Sequence, residues 1–301
     1  MLYDDMQQLI GNTPLVHLSH LGLPDSIRVY AKLELYNPGG SVKDRIGKYM
    51  IEDAEKRGVL VPGGTIVEGT AGNTGLGIAF AALNRGYRLI MVVPSKFSQE
   101  KQALLRALGA EVINTPREEG MMGAERKAQE LRMSIPKAVS LEQFRNPTNP
   151  LAHYETTGPE IWTDLGEKID FFVAGAGSGG TYTGIARYLK MQKPDIKCIL
   201  ADPIGSTMGG GEHGDYEIEG IGNDFIADTM DMSLVDDVIK ISDKEAFAET
   251  RLLARNEGII AGTSSGANIA AIRKFAEHLG HGTIVTVLPD RGERYLSKNL
   301  F

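Results

Sequence analysis

The sequence predicts an α/β protein of two domains, each built on a central, mostly parallel sheet flanked by helices. Three observations carry this expectation. Short apolar strands alternate with helical patterns from about residue 65 to the end, as crossover helices between parallel strands require. Three strand-to-helix junctions, at 70–75, 175–181 and 262–266, are unusually rich in glycine and hydroxyl side chains. The length, 301 residues, suits about two domains of ordinary size.

Taken in order, the first block opens on Asn37-Pro38-Gly39-Gly40-Ser41-Val42-Lys43-Asp44-Arg45, a glycine turn leading into a helix. That helix sets Ile46, Met50 and Ala54 on one face and stops before Gly58. A strand follows over 64–68, a helix from about Thr74 to Asn84, a strand over 88–93 and a helix from Ser98 to Leu108. Gly109 ends this helix, and Glu111-Val112-Ile113 begins the next strand. The Pro- and Asn-rich stretch 143–150 reads as the passage between domains. The second block has strands at 171–174, 198–201 and 284–288.

Composition bounds the function. With 42% apolar and 24% charged residues, a net charge of -7 and no run of Lys and Arg, the chain is expected to be globular and to bind neither nucleic acid nor an anionic membrane. Neither a secretory signal nor an apolar stretch of about 18 residues occurs, so a cytoplasmic location is expected. Cys198, the single cysteine, lies in an apolar run and reads as a buried strand residue rather than a nucleophile. The pairs His17/His20 and His278/His281 lack a third ligand nearby in sequence, and no metal site is expected.

Lys43 follows a glycine turn at a helix N-terminus, where the positive end of the macrodipole favours a neutral, nucleophilic amine. A solvated lysine behind a capping Ser41 is the alternative. The central junction, Gly175-Ala176-Gly177-Ser178-Gly179-Gly180-Thr181, suits a phosphate: backbone N–H groups at a helix N-terminus are joined by two hydroxyl donors. Gly175, Gly177 and Gly180 also satisfy G-x-G-x-x-G, and Asp202 ends the next strand, so a nicotinamide-dependent dehydrogenase is a rival reading. Thr70, Asn73 and Thr74 offer hydroxyl and amide groups to a carboxylate or a phenolic oxygen, or serve only as turn and cap residues. Ser264 precedes a helix with Ile269 and Ile272 inward, and N-capping is its alternative role.

Taken together, 38–45, 70–75, 177–181, Glu219-Gly220-Ile221-Gly222, 262–267, 153–160 and 288–295 resemble the cysteine synthase and cystathionine β-synthase family over nearly the whole chain. The resemblance implies a pyridoxal phosphate enzyme of fold type II, usually a homodimer, with its active site in the cleft between two domains. It implies a smaller, mobile domain at 42–146 and a larger phosphate-binding domain at 1–41 plus 147–301.

Carried over by residue, it makes Lys43 the aldimine lysine and catalytic base. Gly177, Ser178, Gly179, Gly180 and Thr181 become the phosphate cradle, Asn73 the partner of the phenolic oxygen, and Ser264 that of the pyridine nitrogen. Thr70, Ala71, Gly72, Thr74 and Gln143 would bind the substrate carboxylate, and Glu219 and Gly220 would meet the incoming thiol. Ala71 stands where many relatives have serine, which removes one hydroxyl from that loop. The implied reaction is β-replacement through an aminoacrylate: O-acetylserine, or serine, joined to homocysteine to give cystathionine. The alternative thiol is sulfide, giving cysteine. Glu219 and the Asp224-Phe225 pair look more like the cystathionine group, since homocysteine carries an ammonium that sulfide lacks. A catalytically silent binding protein on the same fold is a further reading.

Overall fold

The computed structural model describes residues 2–70, 72–95, 98–298 and 300–301. The chain runs β1 (Leu15–His17), β2 (Ile27–Leu33), α1 (Lys43–Lys56), β3 (Thr65–Gly69), α2 (Asn73–Ala81), β4 (Arg88–Pro94), α3 (Gln99–Ala107) and β5 (Glu111–Thr115). It continues through α4 (Gly120–Ser134), β6 (Ala138–Val139), α5 (Thr148–Ala152), a π-helical turn (His153–Thr157), α6 (Gly158–Leu165), β7 (Phe171–Gly175) and α7 (Gly180–Gln192). The last elements are β8 (Lys197–Pro203), β9 (Asp237–Ile241), α8 (Asp243–Leu252), α9 (Thr263–Ala276) and β10 (Gly282–Leu288).

Two compact units result: Met1–Ile10 with Asn37–Asn149, and Gly11–Tyr36 with Pro150–Phe301. The division differs at its edges from the expected 42–146. Residues 37–41 join the first unit because the Asp44 carboxylate of α1 accepts the Gly39 N–H at 2.6 Å. Gln7 binds there as well: its amide donates to the Leu83 carbonyl at 3.4 Å and accepts from Arg85 at 3.1 Å.

The first unit holds a four-stranded, all-parallel sheet in the order β5-β4-β3-β6. β3 is buried along its whole length, as a central parallel strand covered on both faces should be. Ala124 and Ala128 of α4 pack on Val67, Ile90 and Val92. α1 buries Ile46, Met50 and Ala54, one every fourth residue, which matches the periodicity read from the sequence. α2 ends at Ala81 rather than near Asn84, where the backbone turns left-handed (φ +61°).

Two glycines bring α1 and α2 together. A Cβ on Gly77 would lie 2.2 Å from the Lys43 carbonyl oxygen, and one on Gly47 would lie 2.4 Å from the Gly77 carbonyl. Only the missing side chains allow the backbones to approach this closely. The start of α1 is thereby pinned beside the helix that follows the 70–75 turn.

The second unit holds a six-stranded sheet, β1-β2-β10-β7-β8-β9, parallel except for the β1–β2 pair. Its faces alternate with the period of two that a strand imposes. Ile199, Ala201, Ile284 and Leu288 pack with Ile269 and Ile272 of α9. Cys198, Leu200, Val285 and Val287 pack with Tyr182, Ile185 and Leu189 of α7. The ends of β7 and α7 therefore stand on a sheet fixed from both sides.

Candidate active site

In the first unit, Lys43 opens α1. The Ser41 hydroxyl accepts the Lys43 N–H at 3.3 Å, so this serine does brace the helix start. Lys43 keeps part of its surface open, yet protein crowds the amine closely enough that lost solvation lowers its pKa to about 8. Burial favours the neutral amine, and Lys43 stands at the first position of α1, as the sequence reading placed it.

The turn after β3 is built by its own residues. The Thr70 hydroxyl accepts the N–H groups of Gly72 at 3.2 Å and Gly75 at 3.1 Å, and Gly72 takes φ +130°, a conformation glycine adopts without strain. Thr70 thus frames the loop. The Thr74 hydroxyl donates to Oε1 of Gln143 at 2.6 Å, which brings these two expected carboxylate-binding residues side by side. Asn73 begins α2 next to them. Ala71 lies outside the described residues.

A residue the sequence reading passed over organises this corner. Glu68, on β3 and nearly fully buried, accepts from the Ser140 hydroxyl at 2.8 Å and from the N–H groups of Leu141, Glu142 and Gln143 at 3.0 to 3.4 Å. It closes a sharp loop, with Glu142 at φ +53°, that delivers Gln143. Burial pushes the Glu68 carboxyl above its ordinary value, opposed by these hydrogen bonds. The signal available in the sequence was a carboxylate inside the apolar strand Thr65-Ile66-Val67-Glu68.

In the second unit, the cradle joins β7 to α7. Asn223 donates its side-chain amide to the Gly177 carbonyl at 2.6 Å, and the Thr229 hydroxyl donates to the Ser178 carbonyl at 2.5 Å. Across a trans peptide plane the C=O and the next N–H point opposite ways. Tying both carbonyls to the 204–230 loop therefore turns the Ser178 and Gly179 N–H groups to the other side. Gly179 is left-handed (φ +84°) and Gly180 starts α7, so successive amides converge at a helix N-terminus, a geometry that suits an anion. Thr181 follows in the first turn of α7, and Asn268 secures the strand end by accepting the Gly175 N–H at 2.7 Å.

At the third junction Gly262, not a serine, occupies the cap of α9, and no side chain caps the helix. Ser264 is buried, and a Cβ at Gly220 would lie 3.8 Å from its hydroxyl, so the 219–222 loop passes beside it. Thr263 holds that loop by accepting the Glu219 N–H at 2.9 Å. The Glu219 carboxylate is engaged by the Lys298 ammonium.

Two other sequence candidates have internal roles. Asp202 accepts from the Gly209 N–H at 3.0 Å and pairs with Lys240 at 2.5 Å, so it is not the exposed ribose acid a dinucleotide site needs. Burial pushes the Cys198 thiol up to about 12, which leaves it inert.

In the first unit a lysine with a lowered pKa suits an aldehyde, and in the second a helix-terminal cradle suits an anion such as a phosphate. A family model described as pyridoxal-phosphate dependent enzyme matches residues 6–290. The chain belongs to this family. Its architecture is that of fold-type-II pyridoxal-phosphate enzymes, with two mostly parallel sheets flanked by helices. It is 47% identical over 298 residues to the O-acetylserine dependent cystathionine β-synthase of Bacillus subtilis, covering 99% of this chain and 97% of the relative. It is equally 47% identical over 304 residues to a Helicobacter pylori cysteine synthase, covering 100% and 99%. A crystal structure of the O-acetylserine dependent cystathionine β-synthase from Helicobacter pylori superposes with a TM-score of 0.96 at 47% identity, covering 100% and 99%. The chain is a pyridoxal-phosphate-dependent enzyme of the cystathionine β-synthase and cysteine synthase class.

Proposed function

We propose that this enzyme replaces the acetoxy group of O-acetylserine by the sulfur of homocysteine, forming cystathionine. One observation carries the choice of thiol: the Glu219-Gly220-Ile221-Gly222-Asn223-Asp224-Phe225 loop runs beside Ser264 with an acidic residue that a thiol bearing an ammonium can use. The likeness to the Bacillus subtilis relative supports the same reading.

The roles follow from the residues. Lys43 is the residue that would hold the cofactor's aldehyde group and take the substrate's α-proton; a pKa near 8 keeps a useful neutral fraction at physiological pH. The 177–181 amides hold the phosphate. Thr74 and Gln143, the latter in the loop that Glu68 fixes, hold the amino-acid carboxylate, and Asn73 would meet the cofactor's phenolic oxygen. Ser264 offers the ring nitrogen a neutral hydroxyl, which cannot keep it protonated as an aspartate would. The cofactor supplies an electron sink at the α-carbon, weaker when its ring nitrogen is uncharged, and that favours prompt loss of the β-substituent. Acetate leaves readily without a dedicated proton donor.

A second reading, sulfide as acceptor, is favoured by the Lys298–Glu219 ion pair, since an incoming ammonium would have to displace Lys298. Side-by-side kinetics with O-acetylserine and either homocysteine or sulfide, with product identification, separate the two. The proposal expects a higher kcat/KM with homocysteine, and a clear preference for sulfide overturns it.

A further inference from the structure

We propose that His153 is a positioning residue that fixes the hydroxyl proton of Thr181 so that it is donated into the phosphate cradle. The inference rests on the reading of 177–181 as the phosphate site. His153 is fully buried in the π-helical turn before α6. Its Nδ1 lies 2.9 Å from the Thr157 hydroxyl and its Nε2 lies 3.1 Å from the Thr181 hydroxyl. The close approach is built in. A Cβ on Gly184 of α7 would fall 2.3 Å from the Pro150 carbonyl and 2.6 Å from the His153 Cβ, so glycine there lets the His153 segment lie against α7 one turn beyond Thr181.

The chemistry selects one direction along this chain. A threonine hydroxyl has a single proton, and a neutral imidazole has one donor and one acceptor nitrogen. If Nε2 accepts from Thr181, the threonine turns its lone pairs toward the cradle, where a phosphate dianion repels them. If Nε2 carries the proton, Thr181 accepts from it and its own proton is free to be given to phosphate. Nδ1 is then the acceptor, and the buried Thr157 hydroxyl stands at donating distance. The sequence Thr157 O–H to Nδ1, Nε2–H to Thr181, Thr181 O–H to phosphate satisfies every group without a net charge on the ring. Hydrogen bonds to charged groups exceed neutral ones in strength, so the aim of this one proton matters for retention of the cofactor.

The test compares pyridoxal phosphate with pyridoxal, which lacks the phosphate, by equilibrium titration of cofactor-free protein in phosphate-free buffer. His153→Leu is expected to weaken pyridoxal phosphate roughly tenfold while leaving pyridoxal unchanged. His153→Gln, whose amide can place a donor near the position of Nε2, is expected to recover most of the loss. Should His153→Leu not fold, Thr157→Val reads the same proton chain from its other end, with a smaller loss confined again to pyridoxal phosphate. Equal weakening of both ligands, or undiminished selectivity for the phosphorylated one, overturns the role of His153 while leaving the phosphate site standing. Wild-type protein that binds both ligands alike overturns the phosphate-site reading itself.

Discussion

The Thr74 hydroxyl and the Gln143 side-chain carbonyl, 69 residues apart in sequence, meet at 2.6 Å. This bond locks the start of α2 to the loop before residue 149 and fixes which end of the Gln143 amide faces which way. With its Oε1 engaged, the orientation of the donor end is set.

The two residues should therefore act as one unit. Thr74→Val and Gln143→Ala are each expected to raise KM for O-acetylserine roughly tenfold, with a double variant little worse than either single one. Additive losses in the double-variant cycle would show that the two bind substrate independently. KM for the thiol should change little in either variant.

Glu68 is expected to act through that loop without touching substrate. Glu68→Gln sets an amide against backbone donors at 141–143 and should cost about 1–3 kcal/mol of stability, read from urea midpoints. The pH dependence has a definite sign. Because burial raises the folded-state pKa, the native state holds the proton longer than the unfolded chain, so this carboxyl's contribution is present below the unfolded value of 4.5 and is lost as pH rises through the raised one. Stability profiles of wild type and Glu68→Gln should diverge over that window.

For Lys43 the sign is reversed. With a folded pKa lowered to about 8 from 10.5, the unfolded chain binds the extra proton between these values, so cofactor-free protein should gain stability as pH rises from about 8 toward 10.5. Lys43→Met should be the more stable form at pH 7 and lose that advantage at high pH. The rate at which the cofactor condenses with wild type should climb with a midpoint near 8, followed by stopped-flow absorbance. Lys43→Ala should lose both turnover and the yellow absorbance of the covalently held cofactor.

Gly77→Ala tests the helix contact. A Cβ placed 2.2 Å from the Lys43 carbonyl oxygen meets backbone, which cannot rotate away. A loss of about 1–3 kcal/mol is expected from overpacking, with a slower approach of Lys43 to the cofactor. Full retention of both thermal stability and cofactor uptake would show that α1 and α2 tolerate separation.

Much of this was legible in the sequence because the signals were local. The helix after Ser41 announces itself by Ile46, Met50 and Ala54, and the strands at 88–93 and 198–201 by uninterrupted apolar runs. The three glycine-rich turns fall where β3, β7 and the start of α9 place them. What stayed hidden depends on contacts distant in sequence. β1 and β2 lie before the first apolar block; β2 pairs with β10 some 250 residues later, and β1 joins the sheet edge through β2. The work of Glu68, Asn223 and Thr229 consists of bonds to other loops, so their types alone did not reveal it. Glu219 was legible as an acid in a suggestive motif, but its ion pair with Lys298 was not.

The segment 204–230 has two attachments that cannot be tuned separately. Through Asn223 and Thr229 it orients the amides of the anion cradle, and through residues 219–222 it lines the region beside Ser264. On the proposed reading, a lineage that reshaped this stretch to accept a different sulfur donor would risk disturbing the cradle at the same time. Changes of acceptor should therefore arise by point substitutions that spare positions 223 and 229 rather than by insertions or wholesale exchange of the loop.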